Sequence, residues 1–508
     1  MGYNQKLREE WIQTLVTSIQ QTNIVYLIGT ASGGPVNHPI NIRSEAQLLQ
    51  RFGTEGSLIE AYQSIQPLLD SQTLYLVKSS GVHAELSLDV NQENVELNAF
   101  KFVSKQANEV ANHIQIELSP CFLHIIHPAE LGGHRMSYDL RQYGVMGDLV
   151  RAINTHADKG QVEVYASCEY EEWLLDYPFY ACNPTRSNLT GGASQCRPSK
   201  DEWYESLQKT YDVLEGLDIH VIVPINAYLD DVRSFFSRYG LAHYGASHYH
   251  RSRDYLTLPG ASFHTQLHAF CQKQLANGCS THGVMGLNPQ TFEDERSHLA
   301  FLTGLAHRYQ DQEVEDASYG LISVVATDVY YDYYRTIHNG YLAYAMLLTK
   351  LSPSQNPTNQ PLGGAIQLVY EVSEEYESAV SEQGFVSFRY SPYKQGTVVK
   401  VDTSFTQRES GLRYYHNVRM CQLTCLAVKE LVDAYIGTII EEVERYHYLE
   451  SELTLLLNLL VSQSILSEYT LDISTSVTLG SVEIAIAIKT KYMVESVVIS
   501  GDLAHQMI

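Results

Sequence analysis

The stretch whose residue types come nearest to chemistry is IVYLIGTASGGPVNHPINI, residues 24–42, an apolar strand running into glycines, as in loops that cradle phosphate. Such a loop needs a helix directly after the glycines, so that its first amides and its dipole face the anion. Here Pro35, Val36, Pro39, Ile40 and Ile42 instead continue as an extended, proline-punctuated piece, and the first helix start is the capping box of Ser44 and Gln47. The spacing of Gly29, Gly33 and Gly34 fits neither G-x-G-x-x-G nor G-x-x-x-x-G-K-[ST], and no Gly-Lys pair occurs in the chain. The segment reads as strand, turn, second extended segment and a short helix ending at Gly53, with its glycines and prolines setting backbone angles.

Metal and nucleophile chemistry fares no better. His264, His268 and Cys271, in HTQLHAFC, fall on successive helical turns, but Thr265 replaces the glutamate that H-E-x-x-H hydrolases use as general base. His243, His248 and His250, in HYGASHYHRSR, have no carboxylate or cysteine at ligand spacing and read as a solvated or interfacial loop cluster. Cys421 and Cys425 lie one helical turn apart, and two thiolates do not complete a zinc site. None of the Gly-Ala-Ser triplets at 192, 245 and 260 is followed by the glycine of a nucleophile elbow. Glu441 and Glu442 sit in a charged stretch that reads as solvated helix surface. No catalytic, cofactor-binding or metal residue is assigned, and the expectation is a protein that is not an enzyme and works by contact and assembly.

Composition points the same way. A chain of 508 residues exceeds one hydrophobic core, so several domains are expected. The net charge of −24 argues against direct nucleic-acid binding and against an anionic membrane surface. The start MGYNQKLREEW lacks a signal-peptide core and no apolar run reaches membrane-spanning length, so a soluble cytosolic product is expected, with no membrane insertion. Eight cysteines without a C-x-x-C pair are expected as thiols. The 36 tyrosines, each with an apolar face and a polar tip, point to interfaces.

The elements follow from periodicity. Leu7, Trp11, Ile12, Leu15, Val16 and Ile19 share a helical face that something must cover. Strands at 24–29 and 73–80 flank helices near 45–52 and 57–69. Short alternating segments such as HIQIELS and QVEVYAS, with one helix near GDLVRAINTH, mark a mainly β insertion. A capping box of Ser199 and Glu202 then opens a helix closed by Gly216, and the apolar strand IHVIVP follows. Helices near 263–276 and 297–309 feed strands around THGVMGL and SYGLISVVAT, so a parallel sheet flanked by helices is expected. LSPSQNPTNQPLGG, residues 351–364, reads as a linker or long loop. Strands near 366–371, 384–389 and 397–401, helices near 414–436 and 449–466, and the closing strands SVEIAIAIK and SVVIS complete the chain.

In this order the segments resemble the tail sheath proteins of contractile bacteriophages, a family shared with R-type bacteriocins and other contractile injection systems. IGTASGGPVNHPINIRSEAQLLQRFG is similar to the family's strand, G-T-A-x-x-G-P-V-N-x-P loop and helix ending in F-G. LTGGASQCRPSKDEW resembles its G-G-x-x-G-x-x-P segment, without that segment's third glycine, and YYHNVRMCQLTCLAVKELVDAY resembles the long helix of its C-terminal domain, with Asn417, Val418 and Arg419 at the family's position. The helical start differs from the extended arm with which many sheaths begin.

The resemblance implies an α+β, multidomain protein of mixed α/β sheet domains carrying an inserted mainly β domain. It implies an N-terminal helical arm at 1–23, a discontinuous middle α/β domain at 24–80 and 184–350, an outer insertion at 81–183, and an inner C-terminal α/β domain at 351–508 with terminal linking strands. Its implied function is a structural subunit, forming helically stacked hexameric rings around a tail tube and contracting to drive the tube through the host envelope. The implied partners are copies of itself, the tail tube protein, and baseplate and tail terminator proteins, in a virion assembled in the host bacterial cytoplasm, with no cofactor. A bacteriocin or other injection-system sheath, or an α/β enzyme with an unrecognised site, are the other readings. By resemblance the helix at 414–436 faces the tube, with Arg413, Arg419, Lys429, Glu430 and Asp433 either on that wall or solvated.

Overall fold

The computed structural model describes residues 10–16, 24–70, 72–92, 95–119, 121–168, 171–172, 185–230, 262–289, 294–310, 319–331, 337–352, 355–363, 366–406, 412–435, 443–476 and 481–489. The strand Ile24–Gly29, IVYLIG, carries apolar side chains on both faces and so demands cover on both. It lies inside an eight-stranded sheet in the order Gly396–Val401, Phe385–Ser391, Ile322–Val325, His282–Gly286, Val221–Pro224, Ile24–Gly29, Thr73–Lys78 and Ile40–Asn41. The six inner strands are parallel and the two outer ones antiparallel to their neighbours.

Pleat alternation sorts the side chains into two cores. Val25, Leu27, Val221 and Val223 face the helices Glu45–Phe52, Ser57–Ile65 and Tyr341–Lys350. Tyr26, Ile28 and Ile222 face Lys200–Leu214, Phe263–Ala276 and Glu295–Gln310. The expected parallel sheet is thus a three-layer sandwich. Tyr341–Lys350 was not anticipated: YLAYAMLLTK is apolar all round, its residues 341–349 are all buried, and no periodicity betrays a helix that has no solvent face. Glu374–Glu382, capped by Ser373, was also missed. Ser199 and Glu202 make the full reciprocal cap, whereas Gln47 turns its side chain to the Arg43 amide and leaves Ser44 to cap alone.

Between Thr73–Lys78 and Lys200–Leu214 the chain builds a separate β-rich unit. A four-stranded antiparallel sheet of Thr185–Asn188, Gln115–Ser119, Phe122–Ile126 and Arg135–Asp139 and a three-stranded one of Glu85–Gln92, Val95–Ser104 and Val164–Ser167 enclose their own core with the helix Met146–Asp158. Strand pairing carries this unit past the expected edge at 183. Thr185–Asn188 belongs to its sheet, Leu189 to its core, and the bridges Val82–Ala193 and Glu85–Thr190 close its neck. The fully buried Lys78, at the end of its sheet strand, donates from Nζ to the Ala107 carbonyl at 2.6 Å and ties the unit to the sheet.

The boundary expected at 350 does not interrupt the sheet, because Phe385–Ser391 and Gly396–Val401 extend it. Nor is the proline-rich stretch a free linker: Asn359 and Leu362 donate to the Val399 and Thr397 carbonyls, and Val399 donates to the carbonyl of Gln360. An edge strand leaves a row of unpaired backbone groups, and this loop satisfies them. Beyond it, the helices Tyr415–Asp433 and Val443–Ser462 and the ribbon of Glu468–Ser476 and Ser481–Lys489 share a further core. The helical residues 10–16 complete that core with Ile12 and Val16, while Trp11, expected on the same face, is 43% exposed.

Replacing residues 86–189 with a short Gly/Ser linker, which keeps both neck bridges, is expected to leave a soluble, cooperatively melting remainder. Insolubility in every linker length tried would show that the unit belongs to the body of the fold. Ile12→Ala is expected to cost about 2–5 kcal/mol where it packs, read as faster amide exchange in the helix Tyr415–Asp433 with the sheet's exchange unchanged.

Candidate functional site

In an open sheet of parallel strands a ligand crevice lies beyond the carboxyl ends of the two strands where the strand order reverses. Here those strands are Ile24–Gly29 and Val221–Pro224, so the glycine loop sits where a nucleotide would bind. The chain fills the position with itself. The Thr30 carbonyl accepts from Leu58 N at 3.1 Å, Thr30 Oγ1 accepts from Ser57 N at 3.1 Å, and Ser57 Oγ accepts from Thr30 N at 2.9 Å. The first amides of the helix Ser57–Ile65, the donors an anion would use, are thereby consumed. A Cβ on Gly29 would stand 2.7 Å from Ser57 Oγ and 3.0 Å from Leu58 Cγ, so glycine here permits close approach of the chain to itself. Thr30 Oγ1 also donates to the Cys196 carbonyl at 2.8 Å, stitching in the segment that follows the insertion.

The other sequence candidates separate into core and surface. His264 is buried with its ring 5.1 Å from that of Tyr309 and 5.4 Å from that of Phe405, and burial pushes its pKa down to about 3. Cys271, buried in the same core, is pushed up to about 12 by burial. Among the described residues no group of three His, Cys, Asp or Glu side chains is placed to hold a metal ion, and each described cysteine is a free thiol. Also among them, no helix is long and apolar enough to cross a membrane. His243, His248, His250, Glu441, Glu442 and the expected strand near 494–500 with Val497 lie outside the described residues.

The polar chemistry that sequence reading missed lies where the long helix meets the sheet. Asp402, fully buried just past the edge strand, accepts from the Tyr344 hydroxyl at 3.0 Å and from His416 N at 2.9 Å. One carboxylate thus joins the apolar helix of one layer to the start of Tyr415–Asp433. Burial pushes its pKa up to about 7, while the His416 amide and the Tyr344 hydroxyl pull the other way. Beside it, His282 Nε2 meets Ser323 Oγ at 3.0 Å, and Ser323 Oγ donates to the Thr403 carbonyl at 3.0 Å. Arg419 donates to the Tyr415 hydroxyl and is 6% exposed, so it is neither a wall contact nor a solvated charge. Arg413 donates to the Ser381 carbonyl at 3.2 Å, and the exposed charges of the helix are Lys429, Glu430 and Asp433. The stretch VDTSFT, an acid directly after an apolar strand, was the one available signal for this junction.

At the other end of the same module lies the ribbon. Tyr469, Leu471, Ile473, Ile484, Ile486 and Ile488 pack on the helices, with Thr470, Asp472, Ala485 and Ala487 turned outward between them, so burial alternates with a period of two. Its two described strands pair with each other along their whole length.

No family model matches the chain, and no curated protein matches it. Among solved structures, a sheath tail protein from Listeria innocua aligns with a TM-score of 0.51 at 12% identity, over 95% of this chain and 99% of that one. A sheath tail protein from Desulfitobacterium hafniense gives 0.47 at 11% identity over 93% and 97%, and the contracted anti-feeding prophage baseplate gives 0.49 at 11% over 96% and 94%. The α+β, multi-sheet fold is that of a sheath tail protein, as the sequence resemblance implied. The neighbours are described as sheath tail proteins and as a prophage baseplate in its contracted state.

Two outcomes follow from this geometry. Gly29→Ala is expected to destabilise by about 1–3 kcal/mol through overpacking, with no nucleotide hydrolysis before or after the change; turnover that vanished in the variant would make the loop a ligand site. Asp402 is protonated more readily folded than unfolded, so its contribution is full below about pH 4, the ordinary carboxyl range, and is lost as pH rises through about 7. Asp402→Asn is therefore expected to gain melting temperature relative to the parent between pH 5 and pH 8, and parallel curves would remove the titration from this residue.

Proposed function

We propose that the chain is a structural subunit of a contractile, tail-like sheath. The observation that carries the reading is the fold shared with a sheath tail protein over nearly the whole of both chains. Two features support it. The crevice where a sheet of this topology would bind a ligand is filled by Thr30 and Ser57, and the C-terminal ribbon is a two-stranded antiparallel sheet, a form that a further strand can extend.

In this reading copies stack as hexameric rings on a helical path around a tail tube, with baseplate and tail terminator proteins at the ends. The particle is a phage virion or a bacteriocin-like injection device assembled in the bacterial cytoplasm. Contraction shortens and widens the lattice and drives the tube through the host envelope. Such a lattice needs links that hold while bodies rotate, and strand addition provides them, because backbone hydrogen bonds keep register between chains as rigid units swing. The ribbon edges are the acceptors and the segment near 494–500 the donor. The β-rich insertion lies outermost, on its two-stranded neck. Lys429, Glu430 and Asp433, on the exposed end of the long helix, are the residues offered to the tube.

Electron microscopy of the purified chain in negative stain, alone and with its tube protein, tests this directly. The full chain is expected to form tubes or rings, and a chain lacking residues 490–508 to keep its melting temperature while forming neither. A compact small oligomer under all conditions, or undiminished tubes after the truncation, counts against polymerisation and against strand donation respectively.

A further inference from the structure

The strand Phe385–Ser391 leaves the large sheet before it ends. It pairs with Ile322–Val325 only through Phe385 and Val386, then continues as a hairpin with Gly396–Val401 as its partner. Because it runs parallel to the inner strands, the hairpin extends beyond the carboxyl end of the sheet. Its turn is built rather than slack: Gln395 N donates to the Pro392 carbonyl at 3.3 Å, and Gln395 takes the left-handed conformation, φ 51°. On this fixed turn Tyr393 is 99% exposed and Tyr390 is 61% exposed.

The charge of the hairpin is opposite to that of the chain. Residues 384–401 hold Arg389, Lys394 and Lys400 and no acid, in a protein with 58 acidic and 34 basic residues. Arg389 Nη2 donates to Asn359 Oδ1 at 2.6 Å and Lys394 Nζ to the Asn359 carbonyl, so both cations are held by neutral oxygens. Neither makes an ion pair with a carboxylate among the described residues. Glu377 lies within electrostatic reach of Arg389, which leaves Lys394 as the exposed cation of the tip, and two exposed tyrosines beside an exposed cation suit an interface centre, where aromatic residues carry much of the binding energy.

A complementary surface lies at the opposite end of the same sheet. The helix Lys200–Leu214 ends at the amino side of Val221–Pro224, and there Val213 and Leu217 are 53% and 36% exposed among the exposed acids Asp212, Glu215 and Asp218. Lys273 approaches Asp212 and Glu215 at 3.9 and 3.5 Å, which leaves the rim acidic.

We propose that the hairpin tip 389–395 of one copy docks on the rim 212–218 of the next copy. The proposal rests on the polymer reading and adds a head-to-tail contact to it. A patch at one end of a body meeting a different patch at the other end makes a heterologous interface, which propagates without closing on itself. Tyr390 and Tyr393 cover Val213 and Leu217, and Lys394 faces the acids, so assembly weakens as salt screens the charges.

The experiment uses the full chain and measures the concentration at which it sediments as polymer. Tyr393→Ser and Lys394→Glu, both at surface positions, are expected to raise that concentration roughly tenfold or more with unchanged melting temperature. Asp218→Lys is expected to do the same, and Lys394→Glu combined with Asp218→Lys to recover much of the loss. Wild-type protein that never polymerises, alone or on its tube, overturns the polymer reading and this contact with it. A polymerising wild type whose tip variants assemble normally overturns the contact alone. Tip variants that fail while Asp218→Lys assembles normally place the tip on another partner, such as the tube, and also overturn it.

Discussion

Everything in this protein is arranged around a parallel sheet that cannot show either face to water. Strands such as Ile24–Gly29 and Val221–Pro224 are apolar on both sides, so helices cover both faces, and the chain must cross the sheet repeatedly to place them. Once both faces are taken, only ends, edges and insertions remain for contact. The outer strand Gly396–Val401 is blunted by the loop at 359–362, and the crevice at the carboxyl ends of the central strands is closed by the Thr30–Ser57 exchange. A body built this way has spent its ligand-binding position on its own rigidity.

That rigidity has to be passed to the C-terminal module, and Asp402 is where it passes. A buried carboxylate is costly to bring out of water, and its hydrogen bonds to Tyr344 and to the His416 amide are what make the position tenable. The same residue fixes the start of the long helix relative to the sheet, and with it the helices and ribbon beyond. Arg419, bonded to Tyr415, and His282, bonded to Ser323, are buried alongside and add to the polar groups of the junction, with Arg419 Nε and His282 Nδ1 finding no hydrogen-bond partner among the described residues. The junction therefore fixes where the module starts relative to the body.

Much of the architecture was legible because it rests on local rules. Apolar runs bounded by turn residues marked Ile24–Gly29, Thr73–Lys78 and Ile322–Val325, and the cap at Ser199 and the turn glycine at 216 bounded a helix. The misses share a cause. Tyr341–Lys350 has no polar face to give it a period, the loop at 351–364 looked free because nothing in its composition names the edge it covers, and the insertion's end moved because Thr185–Asn188 is claimed by a partner 70 residues away in sequence. Arg419 was read as surface because a charge is normally solvated, and only tertiary packing puts it inside.

By itself the sequence determined the alternation of strand and helix, the presence of a β-rich insertion, and the lack of a working phosphate loop, since each depends on spacing within a few residues. Tertiary structure alone decided that the glycine loop lies at the reversal of strand order and is closed there by Thr30. It also decided that Asp402 reaches Tyr344 across 58 positions. These facts join residues far apart in the chain, and hydrogen bonds and burial across such distances are fixed by how the layers pack, which no local pattern of apolar and polar residues encodes.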